Sequence, residues 1–296
     1  MWEQISSNRV KSTLLVVFFV AFVIFIGWVF GKTTVWGPAA PILAAVVAGV
    51  MAFAGYYNSD KIVLSISRAR PATKQEFPYL HNTVEGLAIA AGLPVPKLYV
   101  IDDTAPNAFA TGRNPEHSAI AVTTGLLQKL NRAELEGVIA NEMAHIADYD
   151  TLLMTLTVVM VGTVALVSDW TMRSFFWGGG RRRRDTGGGQ AGAILLLVAL
   201  ALAILSPIIA QLIRLAISRR REFLADANSA RLTRYPEGLA SALEKLTLDR
   251  EPLEAANKAT AHIYIVNPLK DVGGTINGLF STHPPIEKRI AALRAM

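Results

Sequence analysis

Residues 141–145 are Asn-Glu-Met-Ala-His. Donors at i and i+4 project from one face of a helix. In the zinc-binding pattern H-E-x-x-H both donors are histidines, and the glutamate between them leans over the metal-bound water as general base. This chain keeps the base position, Glu142, and the second imidazole, His145, but Asn141 stands in the first donor position. A neutral amide oxygen is a poor zinc donor beside imidazole. Asp148, three residues after His145 and on nearly the same helix face as Asn141, could supply a substitute oxygen at a site shifted by about one turn. A crippled ordinary site and a shifted one both remain open. Farther along, Arg221-Glu222-Phe-Leu-Ala-Asp226 sets two carboxylates one helical turn apart, suited to a third ligand and an outer acid that steadies it. The same segment would also serve as a surface helix pairing its acids with Arg219–Arg221. His283, ahead of Pro284-Pro285, either caps the last helix or reaches the site. His81, His117 and His262 fit no such pattern and are expected at the surface or as caps.

The elements that must position these residues follow from composition. The 296 residues contain no cysteine, which excludes disulfides and thiolate chemistry and leaves His, Asp, Glu or amide oxygen to hold any metal. Hydrophobic residues make up 52% and charged residues only 18%, against roughly a quarter charged in soluble domains. The deficit falls in four apolar stretches, Leu14–Phe30, Pro38–Tyr57, Leu152–Val167 and Ala191–Ile213, so the excess apolarity is expected in membrane-crossing helices. The net charge of +6 then describes membrane topology, with no nucleic-acid partner expected. Arg9 and Lys11 precede the first stretch and Lys61, Arg68 and Arg70 follow the second, which puts both flanks in the cytoplasm.

Four parts result: a hairpin over 1–59, soluble parts over 60–150 and 214–296, and a second hairpin over 151–213. That second hairpin contains the Arg- and Gly-rich loop 173–190, expected to stay unfolded. The arginines of this loop run against the positive-inside trend, so a shallow hairpin is the alternative to a full crossing. His145 and Glu222 can share one metal only if an even number of crossings separates them, and the hairpin provides two. In the first soluble part, Thr73 with Glu76 signals a capped helix ending near Gly92 and Pro94. Strands are expected over 96–103, 108–111 and 118–123. Asn131 with Glu134 caps the helix of the 141–145 motif, and no local signal stops that helix before the third apolar stretch. Pro236 opens one late helix, and Pro284-Pro285 opens a last one with an apolar stripe of Ile286, Ile290 and Leu293.

Four separated elements, Asn107-Ala108-Phe109-Ala110-Thr111-Gly112, the N-E-M-A-H run, R-E-F-x-A-D at 221–226 and Thr282-His283-Pro284-Pro285, stand in an order and membrane layout that resemble the HtpX-type membrane zinc metalloproteases, relatives of the CAAX prenyl endopeptidases. The resemblance implies an α+β, mainly α, integral membrane protein with about four transmembrane helices and a cytosolic zincin-like domain containing a small sheet. It implies one Zn2+ per competent chain, with His145 and Glu222 as ligands together with position 141, Glu142 as base and Asp226 as the outer acid. Residues 107–112 would be the edge strand on which an extended substrate lies, because unpaired backbone groups accept any peptide; the competing role for Phe109 is plain core packing. Unfolded or membrane proteins would be the substrates, in quality control under stress, at the bacterial inner membrane with the site facing the cytoplasm. Two residues depart from the family pattern, Asn141 for His and Asp148 for the usual Asn. The chain is therefore expected to be impaired, with zinc weakly bound or absent. A pseudoprotease that binds extended polypeptides without cutting them is the alternative, and a transporter ranks last because the apolar segments carry no midspan acid.

Overall fold

In a computed structural model the protein is described for residues 2–33, 36–162, 219–256, 260–268 and 284–296. The loop 173–190, the end of the third apolar stretch, all of the fourth, and His283 lie outside the described residues. Helices α1 (Trp2–Thr33) and α2 (Ala39–Ile66) form the N-terminal hairpin. Each is long and apolar enough to cross a membrane, over Ile5–Val29 and Ala39–Ile66. Leu14, Phe18, Phe25, Ile42, Val46 and Phe53 are exposed along them, an apolar surface that favours a hydrocarbon surround over water. The backbones approach closely through small residues; a Cβ on Gly27 would lie 2.4 Å from that of Ala44. Past Tyr57 the helix kinks at Asn58 (φ −121°, ψ 15°), and beyond the kink Ser59, Val63 and Leu64 are buried.

Strands β1 (Arg70–Pro71), β2 (Lys97–Ile101), β3 (Ala108–Asn114) and β4 (His117–Thr123) form a mixed sheet in the order β1-β2-β4-β3. β2 runs parallel to β4 and the other pairs are antiparallel. Alternation splits the side chains between two cores. Leu98, Val100, Ala108, Ala110, Ile120 and Val122 pack with the helical layer, while Ile101, Phe109, Ala119 and Ala121 pack with Val63, Leu64, Met154 and Tyr264. Phe109 meets Tyr264 edge to face, with ring centroids 5.0 Å apart. Gly112 ends the regular pairing of β3 at φ 131°, where a Cβ would fall 2.2 Å from the His117 carbonyl oxygen.

Helix α3 (Pro78–Ala91) starts later than the Thr73–Glu76 signal predicts. The Thr73 hydroxyl does accept from the Glu76 N–H, but within a turn, and Pro78 then sets the first helical residue. Its end is the expected one, at a left-handed Gly92. After α4 (Thr124–Lys129), helix α5 (Arg132–Ala147) opens on the expected reciprocal cap between Asn131 and Glu134. It does not run on into the third apolar stretch. Asp148 ends it, Tyr149 turns left-handed at φ 59°, and the next helix, α6 (Asp150–Gly162), departs at 83°. The stop is tertiary: the Asn8 side chain on α1 donates to the Asp148 carbonyl and the Asp150 carboxylate, and the Arg9 guanidinium lies 4.4 Å over the Tyr149 ring. The C-terminal part supplies α7 (Arg219–Thr233), α8 (Pro236–Leu248), a 3-10 turn at Ala261–Ile263 and α9 (Ile286–Arg294). His262, expected at the surface or as a cap, is instead buried in that turn, its Nε2 3.3 Å from the Met154 carbonyl oxygen. Packing of Ile263 and Tyr264 into the second core carries it inside.

α5 and α8 cross at contact distance. A Cβ on Gly137 would lie 2.6 Å from the Leu239 nitrogen, and one on Gly238 2.5 Å from the Ala133 carbonyl oxygen. Gly137→Ala should therefore cost about 1–3 kcal/mol through overpacking, read as a lower melting temperature. Gly86→Ala on α3, with nothing within 4 Å of its Cβ, should leave stability unchanged or raise it.

Candidate active site

The middle of α5 is buried on every side, polar residues included: Asn141, Glu142 and His145 are enclosed along with Leu135, Val138, Ile139 and Met143. Buried polar groups must find partners, and here they come from distant elements. Asp226 on α7 accepts from Asn141 Nδ2 at 3.1 Å and takes both arms of Arg289 from α9, at 2.6 and 2.8 Å. Arg289 also lies 3.2 Å from Glu222 Oε2 and donates to the Ile265 carbonyl. Both Arg289 and Asp226 are 0% exposed. The other carboxylate oxygen of Glu222 stands 3.9 Å from His145 Nε2, so the two residues expected to share a metal are brought together. On its far side His145 Nδ1 meets Asp150 Oδ2 at 3.0 Å, and Asp150 Oδ1 accepts from Arg221 at 2.9 Å and from Asn8 at 2.7 Å.

β3 presents its edge to this cluster. The Asn107 carbonyl accepts from the Thr123 N–H on β4, so Ala108, Ala110 and Gly112 turn their backbone groups outward. The Ala110 N–H faces the Glu142 carboxylate and favours its charged form. The Ala108 carbonyl accepts from the Ile265 N–H at 3.0 Å, Asn107 Nδ2 donates to the Val266 carbonyl at 3.0 Å, and the Thr111 and Thr155 hydroxyls are 3.0 Å apart. Phe109 belongs to the core. Asp148 sits at the end of α5, its Oδ2 facing Asn228 Nδ2 at 3.4 Å, and the carboxylate that meets His145 is that of Asp150.

Burial pushes the Glu142 carboxyl up to about 7; the Glu222 charge adds to the rise, and His145, the Ala110 N–H and Arg289 oppose it. Burial works against a charged His145, yet the Asp150 hydrogen bond and the charges of Glu222, Asp150 and Glu142 outweigh it and raise the imidazole to about 9. Burial also raises Asp148, with Asp150 adding to it.

Among the described residues no three His, Cys, Asp or Glu side chains are grouped to hold a metal ion, because the i, i+4 partner of His145 is an asparagine. The donor set that is present still fits a divalent cation. Since Asp226 accepts from Nδ2, Asn141 Oδ1 is left buried without a hydrogen-bond partner. Four carboxylates (Glu142, Asp150, Glu222, Asp226) face two guanidiniums (Arg221, Arg289). Ionised, they leave two negative charges that a dication, or protons on His145 and Glu142, would balance. Sequence reasoning gave Asp150, Arg289 and Asn8 no role in the site. The signal for Asp150 was its place in the I-A-x-x-D run that follows His145, and the signal for Arg289 was a charge inside the apolar stripe of 286, 290 and 293.

The family model described as peptidase family M48 matches residues 74–296. Among curated proteins, a "Protease HtpX homolog" of Dictyoglomus thermophilum is 48% identical over 296 residues, covering 100% of this chain and 94% of that protein. A protein of the same description from Listeria monocytogenes serotype 4b is 44% identical over 305 residues, covering 100% of both. Among solved structures, the crystal structure of S. mikatae Ste24p is similar with a TM-score of 0.51 at 19% identity, covering 99% of this chain and 67% of that one, a likeness of fold.

Glu142 and His145 each bind a proton more tightly folded than unfolded, so each loses stability as pH rises: Glu142 from its ordinary 4.5 through about 7, His145 from 6.5 through about 9. Chelator-treated protein should melt at steadily lower temperatures from about pH 5 to about pH 9, and Glu142→Gln should flatten the lower half of that fall. Asp150→Ala leaves Arg221 buried without its carboxylate and should cost about 3–5 kcal/mol in denaturant melts.

Proposed function

The chain belongs to peptidase family M48, and from that membership we propose that it is a membrane-integrated, zinc-dependent endopeptidase weakened by Asn141. The observation that carries the proposal is the meeting of His145 Nε2 and Glu222 Oε1, 3.9 Å apart in a buried cluster where Asn141 Oδ1 has no protein partner. His145 and Glu222 would be the strong ligands and Asn141 the weak one. When bound, zinc would polarise the substrate carbonyl and acidify the attacking water.

The chain's own residues supply the rest. Glu142, with a carboxyl at about 7, takes the water proton and delivers it to the leaving amine. Asp150 holds His145 in the tautomer that leaves Nε2 free for a ligand. Asp226 is the outer acid for position 141: it already accepts from Asn141 and would accept from the Nδ1–H of a histidine there. An extended substrate would lie along Asn107–Gly112, replacing the Ile265 N–H on the Ala108 carbonyl.

Two apolar helices support insertion in a membrane. Asn8, at the start of α1, bonds directly to Asp150, which supports placing the site at the N-terminal, cytoplasmic side of the bacterial inner membrane. Unfolded or membrane proteins are the substrates this family membership suggests, in quality control under stress. Asn141 favours a second reading, a pseudoprotease that holds extended chains uncut.

Asn141→His should give near-stoichiometric zinc and chelator-sensitive cleavage of casein. The chain as it stands should cleave at least about 100-fold more slowly, since a metal misplaced by about 1 Å can cost that much. Glu142→Ala combined with Asn141→His should abolish cleavage while keeping the zinc. Equal cleavage by the unaltered chain would refute the ligand set; no cleavage by the zinc-loaded Asn141→His protein would favour the pseudoprotease.

A further inference from the structure

A cavity of about 640 Å3 opens where α1, α2, the end of β3 and the start of α6 meet. It is graded. At one end stand Arg9, Ser12 and Thr13 of α1 with Arg113 of β3; toward the membrane end of the same helices the wall becomes Val16, Val17 and Phe53, with Leu156 of α6. Among the described residues no acidic one lines it. Each arginine is fixed by a tyrosine that also lines the cavity. The Arg9 guanidinium lies 4.4 Å over the Tyr149 ring, and that of Arg113 lies 5.0 Å over the Tyr57 ring while Nη1 donates to the Tyr57 carbonyl at 3.2 Å. Such stacking occupies a guanidinium face and leaves edge N–H groups to donate. Among the described residues, neither Arg9 nor Arg113 meets a carboxylate.

We propose that this cavity binds an anionic glycerophospholipid of the cytoplasmic leaflet, with the phosphodiester between Arg9 and Arg113 and an acyl chain along Val16, Val17 and Phe53. The charge calls for an anion, and the change from polar to apolar wall along α1 and α2 calls for one that carries a hydrocarbon chain; a soluble phosphate would use only half of the site. Basic pockets between membrane helices on the cytoplasmic side take such headgroups. The lipid would touch Tyr149, which joins α5 to α6 between Asp148 and Asp150, and would brace the turn on which His145 depends. The proposal rests on α1 and α2 spanning the bilayer.

The full chain is reconstituted into phosphatidylcholine vesicles with and without phosphatidylglycerol. Extraction by alkaline carbonate from both would sink the membrane reading itself. With insertion secured, phosphatidylglycerol should raise the melting temperature and remain bound in native mass spectrometry. Two lost arginines, each worth about a factor of five at a membrane surface, should weaken retention by about 30-fold in Arg9→Gln/Arg113→Gln. Arg9→Gln alone, which removes the stack on Tyr149 but, among the described residues, no side-chain hydrogen bond to the protein, should lose about half of the thermal rise, so the inference survives if Arg113 proves necessary for folding. Lys61→Gln, exposed on α2 and outside the cavity, should change nothing. Equal stabilisation by phosphatidylcholine alone, a loss with Lys61→Gln as large as with the arginines, or full reproduction of the rise by soluble glycerol 3-phosphate would each overturn the lipid site.

Discussion

Arg289 carries its guanidinium into the interior with no exposed surface and meets two carboxylates of one helix, Asp226 along both arms and Glu222 beside them. A buried charge of this kind is tolerable only when each partner is present, since removing one leaves the others uncompensated. The requirement ties the last helix to α7, and through Asn141 to α5, so three elements from distant parts of the sequence must arrive together. The Ile265 carbonyl, a further acceptor for Arg289, brings the segment against β3 into the same arrangement.

A second buried ion cluster joins the site to the membrane hairpin. Asp150 binds His145 on one side and Arg221 and Asn8 on the other, so α1 is part of the support for the imidazole. Tilting α1 relative to α5 would strain these bonds before it disturbed the apolar core, because hydrogen bonds depend on direction and dispersion contacts do not. Position 141 fits the same scheme. Asparagine keeps the hydrogen bond to Asp226 that a histidine would make, so the fold tolerates it, but it offers an amide oxygen where an imidazole nitrogen would face the site.

What the sequence by itself determined was whatever depends on neighbours along the chain. The Asn131–Glu134 cap, the helix end at Gly92, the strands expected over 96–103, 108–111 and 118–123, the two long apolar helices and the spacing of Glu142 and His145 are all local patterns; the strands stand at 97–101, 108–114 and 117–123, β3 running three residues past its expected end because its pairing with β4 continues to Asn114. The pairing of His145 with Glu222 needed the family resemblance as well as spacing. Only the tertiary structure decided the rest. The stop of α5 at Ala147 has no glycine or proline to announce it, because Asn8 and Arg9 of α1 impose it from a different element. The partners Arg221 of Asp150 and Asp226 of Arg289 are likewise distant in the sequence, so nothing local names them. Their burial follows from charge compensation across α1, α5, α7 and α9, a condition that exists only once those helices have packed.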